Sequence, residues 1–142
     1  MRRSRSAIAA LGYVWAAPCT TIGLALGLTS LLFGASVRFH SGVLEFAGGY
    51  LGTRVARLPP PFAFSAITFG HVVLGVDHVI LAAVRSHEHV HVRQYERWGP
   101  LFIPAYLLSS FAQLLRGRRP YRDNYFEREA YAKARCSTFT QR

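Results

Sequence analysis

The sequence predicts an α+β protein in which one N-terminal apolar helix, long enough to span a membrane, precedes a small mixed unit. Three observations carry this. An uncharged run of 31 residues extends from Ala7 to Val37, two short β-branched stretches fall between residues 37 and 75, and a helical stretch from Asp77 to Trp98 is closed by Gly99-Pro100. With 142 residues, 51% of them apolar, and a mean hydropathy of +0.16, the chain is too apolar for a disordered or collagenous protein and long enough for one domain. Lys and Arg number 17 against 7 Asp and Glu, a net charge of +10, so lipid head groups, acidic partners and nucleic acid all come into consideration. Cys19 and Cys136 do not make a disulfide framework.

The N-terminal run follows Arg2, Arg3 and Arg5 and reaches about 46 Å as a helix, enough for one crossing of a bilayer core of about 30 Å and too short for two. Ala16-Ala17-Pro18-Cys19 superficially resembles a signal-peptide cleavage site, but the apolar residues continue through Leu24, Leu26, Leu28, Leu31, Leu32 and Phe33, which favours an uncleaved anchor over residues 1–37. Gly23 and Gly27 form G-x-x-x-G, the spacing that lets a second helix approach closely. Basic residues on the two flanks, Arg2, Arg3 and Arg5 against Arg38, Arg54 and Arg57, nearly balance and leave orientation open.

Residues 38–142 read as the second unit. Val37 to Phe46 alternates like a strand with a turn at Ser41-Gly42, Leu58 to Pro61 is an extended connector, and Ala66 to Gly75 reads as one apolar strand. Asp77 is placed to cap a helix that ends at Trp98, with Ile80, Ala83, Val84, His87, Val90, His91, Gln94 and Trp98 on one buried face. Gly99 to Leu115 is apolar, carries Pro100 and Pro104, and is followed by Arg116, Arg118, Arg119 and Arg122. A last helix starts at Asp123 or Asn124 and runs to about Arg135.

The chemistry lies in His87-Glu88-His89-Val90-His91, an H-E-x-x-H on a helix. Residues i and i+4 share a face, so His87 and His91 can grip one zinc ion while Glu88 reaches a water bound to it; His89 points away. A third ligand is needed. Glu127 shares its stripe with Ala130, Tyr131 and Ala134, which turns its carboxylate inward, where a metal would offset the cost of burial. Glu129 has Lys133 four residues later and reads as solvent-facing.

H-E-x-x-H followed by a glutamate on a later helix, in an E-x-x-A setting, resembles the gluzincin zinc metallopeptidases, among them thermolysin-like enzymes and membrane-embedded prenyl-protein peptidases. The stretch from Gly70 to Tyr131, including Val92-Arg93-Gln94-Tyr95-Glu96-Arg97-Trp98-Gly99-Pro100, also resembles a group of small bacterial membrane proteins carrying this motif. The resemblance implies a small zincin-like domain, zinc held by His87, His91 and Glu127, Glu88 as general base in peptide hydrolysis, and a location at the bacterial inner membrane. It also implies a substrate strand just before the zinc helix, with Thr68, Gly70 and Val72 along its edge, and a hydrogen bond to the oxyanion from His71, Tyr125 or Tyr131. Tyr131 stands where many gluzincins carry an aspartate, and the domain is smaller than a typical peptidase.

A bilayer crossing by residues 99–115 would put His87 and His91 on one side and Glu127 on the other, so this segment is expected to lie at the membrane interface, with Arg116, Arg118 and Arg119 on lipid phosphates. Nucleic acid is excluded as a partner, since no recognition helix or stacking pattern accompanies the charge. The alternative function is a non-catalytic subunit of a larger integral membrane complex, or a homo-oligomer, packed through Gly23, Gly27 and Trp15.

Overall fold

In a computed structural model, which describes residues 2–59 and 64–140, the chain is α+β with a four-stranded mixed sheet. Helix α1 (Arg2–Leu32) leads into the hairpin β1 (Ser36–His40) and β2 (Val43–Ala47), then α2 (Gly49–Ala56). The hairpin β3 (Ala66–Phe69) and β4 (Val72–Gly75) follows, then α3 (His78–Trp98), a single 3-10 turn at Gly99–Leu101, α4 (Phe102–Leu115) and α5 (Tyr125–Thr140). Of the expected connector, Pro60 and Pro61 lie outside the described residues.

Sheet order is β1-β2-β4-β3, with β2 and β4 parallel and both hairpins antiparallel. The first turn uses Ser41 and Gly42 at φ 51° and 86°, the paired positive values that suit a two-residue hairpin. The expected single strand from Ala66 to Gly75 is instead a hairpin broken at Gly70-His71, pairing Phe69 with Val72 and Ala66 with Gly75. Gly70 at φ 59° turns the chain, and uniform apolar residues on both sides hide the break from a periodicity reading. Helix α2 falls in a stretch with no helical signal; its Gly52 abuts the backbone of Val76, where a Cβ has no room.

The sheet lies between two helices. Val43, Ala47 and Val73 meet Leu81 and Val92 of α3 on one face. On the other face Phe46 and Val72 press against α1 at Gly27 and Gly23, where an added Cβ would lie 2.6 Å and 2.7 Å from those side chains. The G-x-x-x-G pair is therefore a seat for the protein's own sheet and does not await a second helix, a correction to its sequence reading. A second apolar core joins Ala16 and Cys19 of α1 to Tyr95, Phe102 and Phe126, where α3, α4 and α5 meet.

Helix α3 has the expected bounds. The Asp77 side chain accepts from the Ile80 N–H, and Gly99 at φ 55° ends the helix against the Trp15 indole. Its burial is wider than one stripe: Leu81, Glu88, Val92 and Tyr95 are buried as well, while Ile80 and Trp98 are exposed, because the helix is wedged between the sheet and α5. One rung of the sheet, Glu45, Val73 and Thr68, aims two polar side chains at α3. The fully buried Glu45 takes a two-pronged ion pair from Arg85 at 2.6 and 2.9 Å, and Thr68 bonds Glu88. The Arg85 pair fixes the pitch of α3 on the sheet, since a buried carboxylate without its guanidinium costs several kcal/mol.

Two helical stretches, Ala10–Leu32 and His78–Leu115, are long and apolar enough to cross a membrane. The second consists of two separate helices joined at the 3-10 turn.

Candidate metal centre

The geometry brings His87, His91 and Glu127 together. His87 Nε2 lies 3.1 Å from His91 Nε2 and 3.2 Å from Glu127 Oε2, and His91 Nε2 lies 3.3 Å from Glu127 Oε1. All three residues are buried or nearly so, and they form the group among the described residues that can hold a metal ion. Ligand atoms about 2.0 Å from a tetrahedral ion stand about 3.3 Å apart. Each contact here is near that length, with the two imidazoles meeting different oxygens of the one carboxylate, and one ligand atom from each residue lies within 4.8 Å of the others, a size that can take an ion. Glu127 Oε2 is buried and faces His87 Nε2 at 3.2 Å without hydrogen-bond geometry among the described residues, so a cation between the two would satisfy it. Residues 99–115 do not separate the ligands, because α4 turns back beside α3 and α5.

Helix α3 supplies the imidazoles at i and i+4. Helix α5 supplies the carboxylate: Asn124 is its cap, accepting from the Phe126 N–H at 2.9 Å, and this start puts Glu127 in the first turn facing inward with Phe126 and Ala130. Glu129 is turned the other way, held by Lys133 at 2.5 Å, Gln94 at 2.8 Å and Arg97 at 3.6 Å. The choice between the two glutamates thus falls to Glu127. Burial pushes its carboxyl up, but the two imidazoles and Tyr106 more than offset this and hold it down at about 2. At His91, burial opposes the proton and Glu127 favours it more strongly, so the imidazole is raised. Burial raises the Glu88 carboxyl, against the pull of His91 and Thr68.

The tautomer of His91 is set by Gln94. The Gln94 amide nitrogen donates to Phe126 O at 3.1 Å and to Glu129 Oε2 at 2.8 Å, both pure acceptors, which fixes which end of the amide is which. Its oxygen therefore faces His91 Nδ1 at 2.8 Å and accepts a hydrogen bond from the Nδ1–H, leaving the Nε2 lone pair aimed at the centre. Among the described residues the His87 ring has no such partner on Nδ1, and it packs against the Tyr131 ring at 4.5 Å. Gln94→Leu keeps the volume and removes the acceptor. Isothermal titration with zinc is expected to show affinity about 10- to 100-fold weaker, the usual cost of losing an outer hydrogen bond to a ligand.

Other assignments are corrected. His71 is remote from the cluster: it stacks on Tyr13 at 3.8 Å, its Nε2 is 3.0 Å from Glu96, and it serves the α1 contact. Tyr125 is 62% exposed and its ring packs on Phe126. Tyr106, hidden in the apolar run, donates to Glu127 Oε1 at 2.8 Å, a bond to a candidate ligand and not the oxyanion contact expected of Tyr125. Val72 is on the inner strand β4, with partners on both sides, and Gly70 is in the turn, so neither offers a free edge; only Thr68 of that trio sits on edge strand β3.

A cavity of about 1190 Å³ opens over the cluster. Ser65 to Phe69 along β3 form one wall, His87, Glu88, His91 and Glu127 the floor, and Ile103, Leu107, Tyr121 and Tyr131 the opposite wall. Arg116, Arg118, Arg119 and Arg122 are all exposed beyond the end of α4, whose Leu107, Leu108, Phe111, Leu114 and Leu115 are exposed as well.

The fold and site define an α+β protein with a buried two-histidine, one-glutamate cluster able to hold a metal. No family model, curated protein or solved structure matches the chain.

Proposed function

We propose that the chain is a membrane-associated zinc metallopeptidase of zincin-like fold, with His87, His91 and Glu127 holding the ion. The observation that carries this is the convergence of two imidazole nitrogens and one carboxylate, with a ligand atom from each within 4.8 Å of the others, on the floor of a cavity that also contains Glu88 and a free strand edge. Two nitrogens and one carboxylate oxygen with an open position are the donor set of hydrolytic zinc. Zinc there supplies Lewis acidity toward the scissile carbonyl and a lowered pKa for a water molecule.

The remaining work belongs to the protein's residues. Thr68 donates to Glu88 Oε2 at 2.8 Å, leaving Oε1 to take the proton of the attacking water and hand it to the departing amine. Burial raises the Glu88 carboxyl, against the pull of His91 and Thr68, in the direction that favours holding a proton in transit. The outer side of β3 accepts an extended peptide through main-chain hydrogen bonds, so recognition tolerates varied sequences. Tyr131, against the His87 ring, and Tyr121 beside it present hydroxyls on the far wall for the oxyanion.

The test is hydrolysis of a fluorogenic peptide pool by the full-length protein in detergent. Activity is expected to disappear with a zinc chelator and return on adding zinc. Cleavage unaffected by chelation would reject a zinc-dependent mechanism, and none with a full complement of zinc would reject the enzyme and favour the non-catalytic subunit.

A further inference from the structure

The N-terminal helix carries a second, independent reading. Along α1, Gly12, Ala16, Cys19, Gly23 and Gly27 recur at i+3 and i+4 and face the protein: Ala16 and Cys19 are buried, and the three glycines abut Glu96, Val72 with Phe69, and Phe46. The opposite side is large and bare, with Leu11 68%, Val14 72%, Leu28 57% and Leu32 84% exposed. This division explains why the helix is apolar all round although half its circumference is covered.

The protein accompanies α1 over nearly its whole apolar length. At one end the Tyr13 hydroxyl bonds Gly42 O at 3.3 Å, and at the other the Tyr50 N–H bonds Phe33 O at 2.8 Å, so the sheet lies beside the same residues that would have to fill a bilayer core. Edge strand β1 is exposed at all five residues, Arg38 among them, and among the described residues pairs only with β2. If α1 crossed, that open edge would enter hydrocarbon, where each unpaired backbone group costs several kcal/mol. The sequence agrees: arginines border both ends, Arg2, Arg3 and Arg5 before and Arg38, Arg54 and Arg57 after, with no bias that would orient a crossing.

We infer that α1 lies along one leaflet of an anionic membrane, its outward leucines and valine at the head-group boundary and both arginine-bearing ends on the same side. The net charge of +10 matches anionic phosphates, and the exposed Leu11, Val14, Leu28 and Leu32, with the sheet covering the other side, leave α1 one apolar face to bury at the head-group boundary. This surface does not depend on the peptidase reading.

Two measurements on the full chain test it. In a Cys136→Ser background, Ser6→Cys before the apolar part of α1 and Thr53→Cys on α2, which meets the other end of α1 through the Tyr50 N–H to Phe33 O bond, are labelled separately in spheroplasts with a membrane-impermeant maleimide. Both sites are expected to react alike; reaction at one and protection at the other would show a crossing and overturn the inference. In flotation, the protein is expected to rise with phosphatidylglycerol vesicles and to bind at least about tenfold more weakly when Leu28→Glu and Leu32→Glu remove the apolar contact. Failure to float with those vesicles, or flotation indifferent to both substitutions, would overturn it and assign the stripe to a protein partner.

Discussion

Glu88→Gln is expected to bind zinc as tightly as the native protein and to hydrolyse peptides about 10²- to 10⁴-fold more slowly, the range lost with a general base. The substitution changes little else. The glutamine oxygen still accepts from Thr68, whose hydroxyl donates to Glu88 Oε2 at 2.8 Å, and the volume of a residue only 6% exposed is kept. The two readouts must therefore separate, with kcat falling and zinc content unchanged. Zinc lost along with activity would show that Glu88 supports the cluster structurally; activity retained would remove it from the reaction.

Glu127→Gln is expected to do the reverse and remove the metal first. Its carboxylate is the sole anion among the three ligands and is 3% exposed, so the amide leaves two neutral imidazoles to hold a divalent ion. Zinc affinity measured by competition with a chromophoric chelator should fall more than 100-fold, beyond the roughly 10- to 100-fold expected when an outer partner such as Gln94 is lost. Stability follows by mass action: at zinc 100-fold above Kd the native protein gains about 2.7 kcal/mol that Glu127→Gln does not. Acid should weaken binding to the native protein too. In the metal-free protein Glu127 raises the His91 imidazole, so as pH falls through the histidine range a proton occupies the nitrogen that must ligate, and apparent affinity drops. Affinity independent of pH between about 5 and 8 would mean that no imidazole is a ligand.

Much of this site was legible in the residues. Asp77 and Gly99-Pro100 bracket α3, the i, i+4 spacing puts His87 and His91 on one face, and the stripe through Ala130 and Tyr131 turns Glu127 inward while Lys133 accounts for Glu129. What stayed hidden depends on which element covers a face, and periodicity carries no record of that. The apolar run 66–75 folds back at Gly70 because Thr20 of α1 is there to meet the turn, a contact 50 residues away in sequence. Tyr106 looked like one more apolar-run residue until α5 brought Glu127 within 2.8 Å of its hydroxyl. Gln94 sits on the stripe beside His91, yet its role depends on acceptors from α5, Phe126 O and Glu129. Gly23 and Gly27 signalled close approach correctly; the approaching surface is a sheet, which the spacing alone does not specify.

The central claim, one ion held jointly by α3 and α5, is tested most directly by zinc K-edge X-ray absorption on the purified full-length protein at one equivalent of zinc. The expected spectrum has two imidazole nitrogens and one carboxylate oxygen at about 2.0–2.1 Å, with low total coordination, and changes on Glu127→Gln. Six oxygen neighbours, a sulfur shell at about 2.3 Å, or a spectrum identical in Glu127→Gln would contradict it.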